Sequence, residues 1–441
     1  GNHWRSRPNT TMNFVRCAVT LILFLLPNMC ESQGLRTLVI LETLSTRQTH
    51  SSFFAALKDR GHELDYRLPS DSKLALQTYG EYNYDNLIIF GSNIKGFGGS
   101  LSVASILQYL DKGHHLLLAV DGKVSNKLRE LANECGIDFD KKNVIVEDHQ
   151  NFNIANSNND HSLIITDSWI NAEVLTGNPN SPVLYRGIGQ SLDKKSKLVF
   201  PILSGSKTSI STSPRQSRIF SLGKDTTLIS ALQGRNNARA TFVGSLEMFS
   251  DRFFASSVRA SFSGESHEKS GNEQFCIALA KWTFKETGLL RASNVVHHLA
   301  DNLTLINPSV YTIEDHIKYA IDISEWSWES QSWKPFVKTD VQLELVRMDP
   351  FQRRTMETDL KGRYWSKFQL PHIFGIYHFT IDYRRRGYSH LVTMDQVSVR
   401  PYKHNEYERF IPAAYPYYAS AFSMLFGFFV FGVLFLYQSE K

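Results

Sequence analysis

The sequence is poor in cysteine and carries little net charge. It has four cysteines in 441 residues, and Cys17 and Cys30 lie in an apolar stretch near the N-terminus. The other two, Cys135 and Cys276, are too few and too far apart for a disulfide framework, so they form either one disulfide or two buried free thiols. The net charge of +5 is spread along the chain, which argues against a nucleic-acid partner.

The sequence also lacks the motifs of nucleophilic catalysis. A hydrolase of the amidotransferase type places Cys or Ser on a tight turn after a strand, where the nucleophile is exposed. Here that turn reads Asp121-Gly122-Lys123, and neither G-x-S-x-G nor G-x-C-x-G occurs. The pairs His114-His115 and His297-His298 are interpreted as structural, because adjacent side chains point apart and cannot clamp one ion. We therefore expect no catalytic residue, no cofactor and no metal site.

An apolar segment after the first methionine, Met12, indicates a secretory signal. Arg16 precedes an apolar run at 17–26, which is too short to cross a bilayer and is followed by small residues. We predict a signal peptide at 12–32. Residues 1–11 then form a non-native or upstream extension.

A longer apolar segment lies near the C-terminus. Phe410–Ser439 contains no charged residue, and 413–437 is long enough to form one transmembrane helix. Small side chains recur there at every fourth position and form a candidate helix-packing face: Ala419, Ser423 and Gly427. A cleaved signal and one span predict a single-pass type I protein with the bulk of the chain lumenal and a cytosolic tail at 438–441.

Short apolar runs alternate with helical patterns between residues 33 and 290. This alternation predicts an α/β domain with a parallel sheet covered on both faces. The predicted strands are Thr37–Leu41, Asn86–Phe90, His115–Val120, Thr227–Leu232 and Ala240–Gly244. The predicted helices are His50–Arg60, Leu101–Leu110, Ser125–Glu134 and Glu273–Thr287. The stretch 150–216 is rich in Asn, Ser, Gly and Pro and is predicted to be a loop-rich insertion.

From residue 291 to 412 the apolar period changes to two. Apolar residues occupy alternate positions in Lys318–Ile323, Val341–Val346 and Ile376–Arg384. Such strands, joined by polar turns, predict an antiparallel β-sandwich-like lumenal domain. We expect a cluster of aromatic residues to fill its core, although tryptophans exposed in a cleft would instead stack on sugar rings: Trp326, Trp328, Trp333 and Phe336.

Three further features lie in predicted loops. Gly96-Phe97-Gly98-Gly99 lacks the spacing of a phosphate-binding loop and is interpreted as a flexible turn. The run Arg384-Arg385-Arg386 is read as a solvated hairpin turn, with lipid head groups or a lipid-linked donor as its candidate contact. Asn302-Leu303-Thr304 is the N-x-[ST] sequon downstream of the signal and a candidate N-glycosylation site.

Several stretches together resemble one known family. They are Arg47–Phe54 (RQTHSSFF), Leu57–Leu64 (LKDRGHEL), Tyr79–Phe90 (YGEYNYDNLIIF), Gly244–Phe254 (GSLEMFSDRFF), Trp282–Arg291 (WTFKETGLLR) and Asn307–Trp326 (NPSVYTIEDHIKYAIDISEW). From about Leu35 to Tyr437 the chain resembles the Wbp-type family, the forty-eight-kilodalton subunit of dolichyl-diphosphooligosaccharide–protein glycosyltransferase (oligosaccharyltransferase). The order of the stretches and the two apolar ends agree with this family.

The resemblance implies a function that the residues alone do not supply. Members lie in the endoplasmic reticulum membrane, within a complex that moves a preassembled glycan from dolichol diphosphate to Asn in N-x-[ST]. A separate multi-span subunit is catalytic there, and the other expected partners are ribophorins and the small defender-against-death subunit. The implied α/β fold is similar to class I glutamine amidotransferases without their catalytic Cys. One departure is the tail Ser439-Glu440-Lys441, which lacks the di-lysine retrieval signal of some relatives.

The sequence thus favours a non-catalytic subunit of oligosaccharyltransferase that acts in protein N-linked glycosylation. The alternative is a free-standing lumenal hydrolase or a lectin-like type I receptor. That alternative requires a reactive thiol or a tryptophan exposed in a cleft.

Overall fold

Two units account for the residues described by the computed structural model, which are 35–155, 160–213, 218–262, 264–300, 304–407 and 409–438. The first unit runs to Leu289 and includes Trp326–Ser332 and Arg385–His390. The second unit contains Leu290–Glu325, Trp333–Arg384 and the chain from Leu391 onward. The predicted signal peptide, the upstream extension, Asn302 and the last three residues of the predicted tail lie outside the described residues.

The described part of the first unit is built on one large sheet with several small ones beside it. Its strands are β1 (Arg36–Leu41), β2 (Glu63–Arg67), β3 (Gln77–Thr78), β4 (Glu81–Tyr82), β5 (Asn86–Phe90), β6 (His115–Ala119), β7 (Ile137–Phe139), β8 (Ile145–Glu147), β9 (Ile164–Thr166), β10 (Val183–Tyr185), β11 (Gln190–Leu192), β12 (Val199–Ser204), β13 (Ile210–Ser213), β14 (Arg218–Leu222), β15 (Thr227–Gln233), β16 (Arg239–Val243), β17 (Val258–Arg259) and β18 (Ser266–His267). The large sheet has the order β2-β1-β5-β6-β16-β15-β11-β7, with β12 also paired to β15.

The strands from β2 to β16 in this order are parallel, and the remaining strands of the sheet are antiparallel. The parallel strands are nearly continuous apolar runs, because both faces of the sheet are covered. This confirms the predicted α/β fold. Two sheet strands, β11 and β12, come from the Asn- and Ser-rich stretch 150–216.

Helices cover both faces of the parallel strands. The helices of the described chain are α1 (Thr46–Thr49), α2 (Ser51–Asp59), α3 (Val103–Asp111), α4 (Asn126–Glu134), α5 (Glu173–Thr176), α6 (Asp251–Ala255), α7 (Asn272–Thr283) and α8 (Tyr415–Tyr437). On one face Ile88 packs with Leu57 of α2 and Leu279 of α7. On the other face Ile89 packs with Ile106 of α3, as successive strand residues point to opposite sides.

The second unit contains two five-stranded sheets. Its strands are β19 (Leu290–Leu299), β20 (Val310–Thr312), β21 (His316–Ser327), β22 (Ser332–Pro335), β23 (Gln342–Val346), β24 (Pro350–Thr355), β25 (Glu357–Thr358), β26 (Arg363–Gln369), β27 (Gly375–Tyr383) and β28 (Leu391–Arg400). One sheet has the order β19-β21-β26-β25, with β22 beside β21, and the other has the order β20-β28-β27-β23-β24. All pairings described are antiparallel except β20 with β28.

The two sheets pack face to face, as the alternating sequence predicts. The ring centroid of Tyr319 in β21 lies 5.4 Å from that of Phe379 in β27, and the ring centroid of Phe368 in β26 lies 5.8 Å from that of Phe379. Alternate residues of β27 are buried, while His378 and Asp382 face outward. Buried aromatic pairs of this kind contribute about 0.5–1.5 kcal/mol beyond the area that they bury.

The prediction that the tryptophan cluster fills this core is wrong. Phe336 is buried, but Trp333 is 37% exposed, because it lies on the short edge strand β22, whose four residues are all exposed. Trp328 lies in the first unit, where its Nε1 donates to the carbonyl of Arg60 at 3.3 Å.

Candidate functional site

The carboxyl ends of the parallel strands are the place where an open α/β sheet binds its ligands. Here β1, β5, β6 and β16 end side by side, and their ends are followed by Glu42, Gly91-Ser92, Asp121 and Gly244-Ser245. A cleft of about 400 Å³ opens at this edge. Its lining includes Thr49, His50, Asp121, Glu247, Asp251 and Arg252.

Asp121 lies in the turn after β6, where the sequence Asp121-Gly122-Lys123 offers neither Ser nor Cys. Its backbone N–H donates to Ser92 Oγ at 2.5 Å, and its carboxylate accepts from the N–H of Gly122 at 2.8 Å. Ser92 therefore stabilises the turn, and its own N–H donates to Glu42 Oε2 at 2.9 Å. These contacts join three adjacent strand ends.

Two carboxylates of the cleft hold neighbouring elements in place. Asp251 accepts from the N–H groups of Ser51 and Ser52 at 3.0 and 2.9 Å, so it caps the first turn of α2. Burial alone would raise the pKa of Asp251, but the hydrogen bond from the hydroxyl of Ser51, together with those from the two N–H groups, outweighs it and the pKa is lowered. Glu247 accepts two 2.7 Å hydrogen bonds from the guanidinium of Arg186.

One hydroxyl–imidazole contact lies in the cleft. Thr49 Oγ1 is 2.8 Å from His50 Nδ1. His50 Nε2 faces the carbonyl of Leu246 at 3.1 Å rather than a carboxylate, and Thr49 Oγ1 also donates to the carbonyl of Thr46 at 3.2 Å. Burial lowers the pKa of His50, which keeps the imidazole neutral at neutral pH.

The three arginines singled out from the sequence make different contacts. Arg384 belongs to the second unit and donates to Asp382 at 2.8 Å. Arg385 and Arg386 belong to the first unit, where the guanidinium of Arg386 lies 5.6 Å from the ring centroid of Phe200. Their contact with lipid head groups or a donor stays a prediction.

The predicted helix-packing face lies on α8. The helical stretch Pro412–Tyr437 contains an 18-residue window with a mean hydropathy of 2.2, and none of that window is buried. Within the described chain Ala419, Ser423 and Gly427 are exposed, and a Cβ added to Gly427 would meet no atom within 4 Å. The helix thus has the length and composition of a membrane span, and its small-residue face is open.

The glycine loop is packed rather than open. The N–H of Gly98 donates to the carbonyl of Pro69 at 2.7 Å, so it is not available to a phosphate. A Cβ at Gly99, whose φ is +60°, would lie 2.2 Å from the carbonyl oxygen of Leu74. The chain turns at Gly99-Ser100, and the glycines permit a close backbone approach there, while the predicted flexibility of the turn stays a prediction.

The histidine pairs make contacts within the protein. The His114 ring stacks 4.3 Å from that of Tyr109, and the N–H of Arg239 donates to His115 Nδ1 at 3.2 Å. His297 Nδ1 lies 2.7 Å from the hydroxyl of Tyr311. Over the described residues, no group of three His, Cys, Asp or Glu side chains is arranged to hold a metal ion.

The two described cysteines are free and buried. Cys135 packs in the core on one face of the sheet and Cys276 in the core on the other. Burial raises the pKa of Cys135 to about 12 and raises that of Cys276 as well, so neither thiol has thiolate character at neutral pH.

Sequence reasoning passed over three polar features. Buried Glu286 lies 3.0 Å from His62 Nε2, and the other nitrogen of His62 lies 3.1 Å from the hydroxyl of Thr37. This arrangement resembles a catalytic triad, but the side chains of His62 and Glu286 are 0% exposed and meet no substrate. Glu286 is 224 residues from His62, so no local pattern reveals the pair.

The second such feature is the D-x-D sequence Asp138-Phe139-Asp140. Asp140 is partly buried and accepts a hydrogen bond from Ser211, and burial raises its pKa. Asp138 is exposed, so the two carboxylates do not meet in one site. The third feature is Arg239, which is 0% exposed and donates to the carbonyls of Trp282 and Thr287 at 2.6 and 2.7 Å.

The fold and its edge define a class of protein. It is a protein with an α/β unit built on a mixed sheet, a second unit of mainly antiparallel sheets and one C-terminal helix that is long and apolar enough to span a membrane. Family models identify it further: residues 28–286 match the OST48 N-terminal domain and residues 297–439 match the OST48 middle domain. The chain belongs to the OST48 family, the 48 kDa subunit of dolichyl-diphosphooligosaccharide–protein glycosyltransferase.

Curated relatives agree over most of the chain, and each bears the name of the 48 kDa subunit of dolichyl-diphosphooligosaccharide–protein glycosyltransferase. The Arabidopsis thaliana protein is 42% identical over 440 residues, which cover 97% of this chain and 100% of that protein. The Danio rerio protein is 43% identical over 413 residues, 92% of each chain. The Drosophila melanogaster protein is 43% identical over 415 residues, also 92% of each chain. The family resemblance read from the sequence is confirmed.

Proposed function

We propose that this protein is a non-catalytic assembly subunit of oligosaccharyltransferase. The complex transfers a preassembled glycan from dolichol diphosphate to Asn in N-x-[ST] of nascent proteins. The observation that carries the proposal is the carboxyl edge of the sheet. There the turn after β6 holds Asp121 and no Ser or Cys, and Glu42, Glu247 and Asp251 bind neighbouring segments of the chain.

The proposed location is the endoplasmic reticulum membrane, with one type I span and both units in the lumen. The apolar and unburied helix α8 supports this location. The proposed partners are the catalytic multi-span subunit, the ribophorins and the defender-against-death subunit. Helices in lipid associate where small residues let backbones approach, so Ala419, Ser423 and Gly427 are the proposed contact within the membrane.

The test is co-purification in mild detergent with two matched variants of α8. Gly427 lies on the proposed face, whereas Gly432 lies about 140° away at 100° per residue. A Cβ at either position meets no atom within 4 Å, so neither change disturbs this chain. We expect Gly427→Ile to reduce recovery of the catalytic subunit and Gly432→Ile to leave it unchanged. Wild-type protein that purifies without that subunit would contradict the assembly role, and equal loss in both variants would contradict the proposed face.

A hydrolase is the second candidate, because Thr49 lies within hydrogen-bond distance of His50. In that case Thr49→Ala would abolish an esterase or amidase activity of the purified protein. The assembly role predicts no such activity in the wild type. It also predicts that Thr49→Ala and Asp121→Asn restore sequon glycosylation fully in cells depleted of this subunit.

A further inference from the structure

A basic patch lies on the outer face of the sheet that contains β21 and β26. Ile317 and Tyr319 are buried in the sandwich, so Lys318 between them points outward. The antiparallel register places Lys318 directly opposite Lys367. Paired positions of this kind have Cβ atoms about 5 Å apart, and like charges at them destabilise the sheet. His316, two residues before Lys318, is exposed on the same face.

The acidic side chains of this face are engaged with other residues. Asp322 Oδ1 lies 3.9 Å from Arg363 Nε, and Glu357 accepts from Trp365 Nε1 at 2.9 Å. Across the described residues, no carboxylate comes within 4.0 Å of the amine of Lys318 or Lys367. A guanidinium adds to the positive charge nearby, since Arg354 Nη1 donates to the backbone carbonyl of Lys367 at 3.3 Å.

The patch lies near the segment that joins the last strand of the second unit to α8. The backbone carbonyl of Glu314 accepts a hydrogen bond from the side-chain amide of Gln369 at 3.1 Å. Gln369 lies opposite His316 in the sheet. The carboxylate of Glu314 accepts from the hydroxyl of Tyr402 at 3.2 Å. Only residues 403–414 separate Tyr402 from α8. Such a segment spans at most about 43 Å, so the patch is within reach of the membrane surface.

We infer that the basic patch (His316, Lys318 and Lys367) binds the phosphates of anionic lipid head groups next to the membrane anchor. A phosphate between the two amines removes the repulsion that the chain itself leaves uncompensated. Because the patch lies near the segment that leads into the anchor helix, we favour a lipid surface over a soluble anion as its ligand. The inference depends on the membrane anchor and not on assembly of the glycosyltransferase complex.

The test is lysine footprinting of the full chain in nanodiscs, with an amine-reactive reagent and peptide mass spectrometry. Phosphatidylcholine discs are compared with discs that also contain phosphatidylinositol. We expect Lys318 and Lys367 to react about fivefold more slowly in the anionic discs, and high salt to remove the difference. Lys334 and Lys361 are exposed internal controls outside the patch, and Lys361 lies just before β26 begins. Their rates should not change.

A variant separates the patch from general surface charge. Lys318→Gln should weaken the protection of Lys367 in anionic discs, whereas Lys361→Gln should not, and Lys318→Gln should unfold no earlier than the wild type. Equal labelling of Lys318 and Lys367 in both kinds of disc would overturn the inference. Protection in phosphatidylcholine discs by inorganic phosphate alone, or by added partner subunits alone, would also overturn it, because the ligand would then be a free anion or an acidic protein surface.

Discussion

Replacement of the buried Arg239 tests how the first unit holds Arg385–His390, the last of the three chain segments that belong to it. Arg239 is fully buried at the C-terminal end of α7, where helix carbonyls favour a cation. Its guanidinium donates to the carbonyls of Trp282, Thr287 and Gly288 at 2.6, 2.7 and 3.1 Å. It also lies 5.0 Å from the centroid of the Trp282 ring, whose Nε1 donates to the carbonyl of Gly387 at 2.9 Å.

The expected cost of Arg239→Met follows from these contacts. The carbonyl of Thr287 has no second donor among the described residues, so the change leaves it unpaired at about 1–3 kcal/mol. The carbonyls of Trp282 and Gly288 keep backbone donors, so each lost bond there costs about 0.5–1.5 kcal/mol. The sum is about 4 kcal/mol, within a range of about 2–6 kcal/mol, and it corresponds to a melting temperature about 8–16 °C lower at about 2–4 °C per kcal/mol.

The assay is thermal unfolding of the full chain in detergent, together with limited trypsin digestion. The exposed Arg235 on the hairpin between β15 and β16 provides the control, and Arg235→Met should shift the melting temperature by less than about 2 °C. In Arg239→Met, trypsin should cleave faster at Arg385 and Arg386, because Gly387 is held through Trp282. A wild-type melting temperature and cleavage rate in Arg239→Met would refute the reasoning.

Three further predictions concern other parts of the first unit. Asp251→Ala should lower the free energy of unfolding by about 1–2 kcal/mol at pH 7. The pKa of Asp251 is lower in the folded than in the unfolded protein. The difference in free energy of unfolding between wild type and variant, measured by urea titration, should therefore be complete above the unfolded pKa and vanish as pH falls through the folded pKa. Cys135 and Cys276 should react with a small thiol reagent only on unfolding, and rapid labelling of either in the native protein would favour the hydrolase. Gly288→Ala should destabilise by about 2 kcal/mol or more, because its φ is +69° and the new Cβ would lie 2.2 Å from a carbonyl oxygen. In Gly264→Ala, with φ +68° and open space, calorimetry should detect the backbone strain alone.

The elements with a strong apolar pattern were predictable from the sequence. The five-residue run Asn86–Phe90 is fully buried, and its bounds agree with the predicted strand. The alternation of β27 likewise identified the residues that face the sandwich core. In both strands burial alone dictates the residue types, so pattern and structure coincide.

Elements stabilised by distant partners were not predictable in this way. The strand β2 reads Glu-Leu-Asp-Tyr-Arg and is only partly buried, because it lies at the edge of the sheet and has one neighbour. The helix predicted to reach Thr287 ends at Thr283, and Lys285 adopts a φ of +64° as the chain turns around Arg239. Arg239, around which the chain turns, is 43 residues from Trp282 in the sequence, so no local sequence pattern predicts this contact.

The carboxylates of the candidate site also have partners that are distant in the sequence, so their contacts were not predictable from local patterns. These contacts determine whether the carboxylates can act as bases. A carboxylate acts as a general base only if its oxygens are free to accept a proton from a substrate. At the carboxyl edge Asp251 is occupied by the first turn of α2, Glu247 by Arg186 and Glu42 by two backbone N–H groups. Each of these bonds joins two segments that are distant in the sequence, so the edge is rigid and its carboxylates are already paired. An edge whose carboxylates Asp251, Glu247 and Glu42 are already paired agrees with the assembly role proposed above, and the unburied helix α8 is the surface on which that proposal depends.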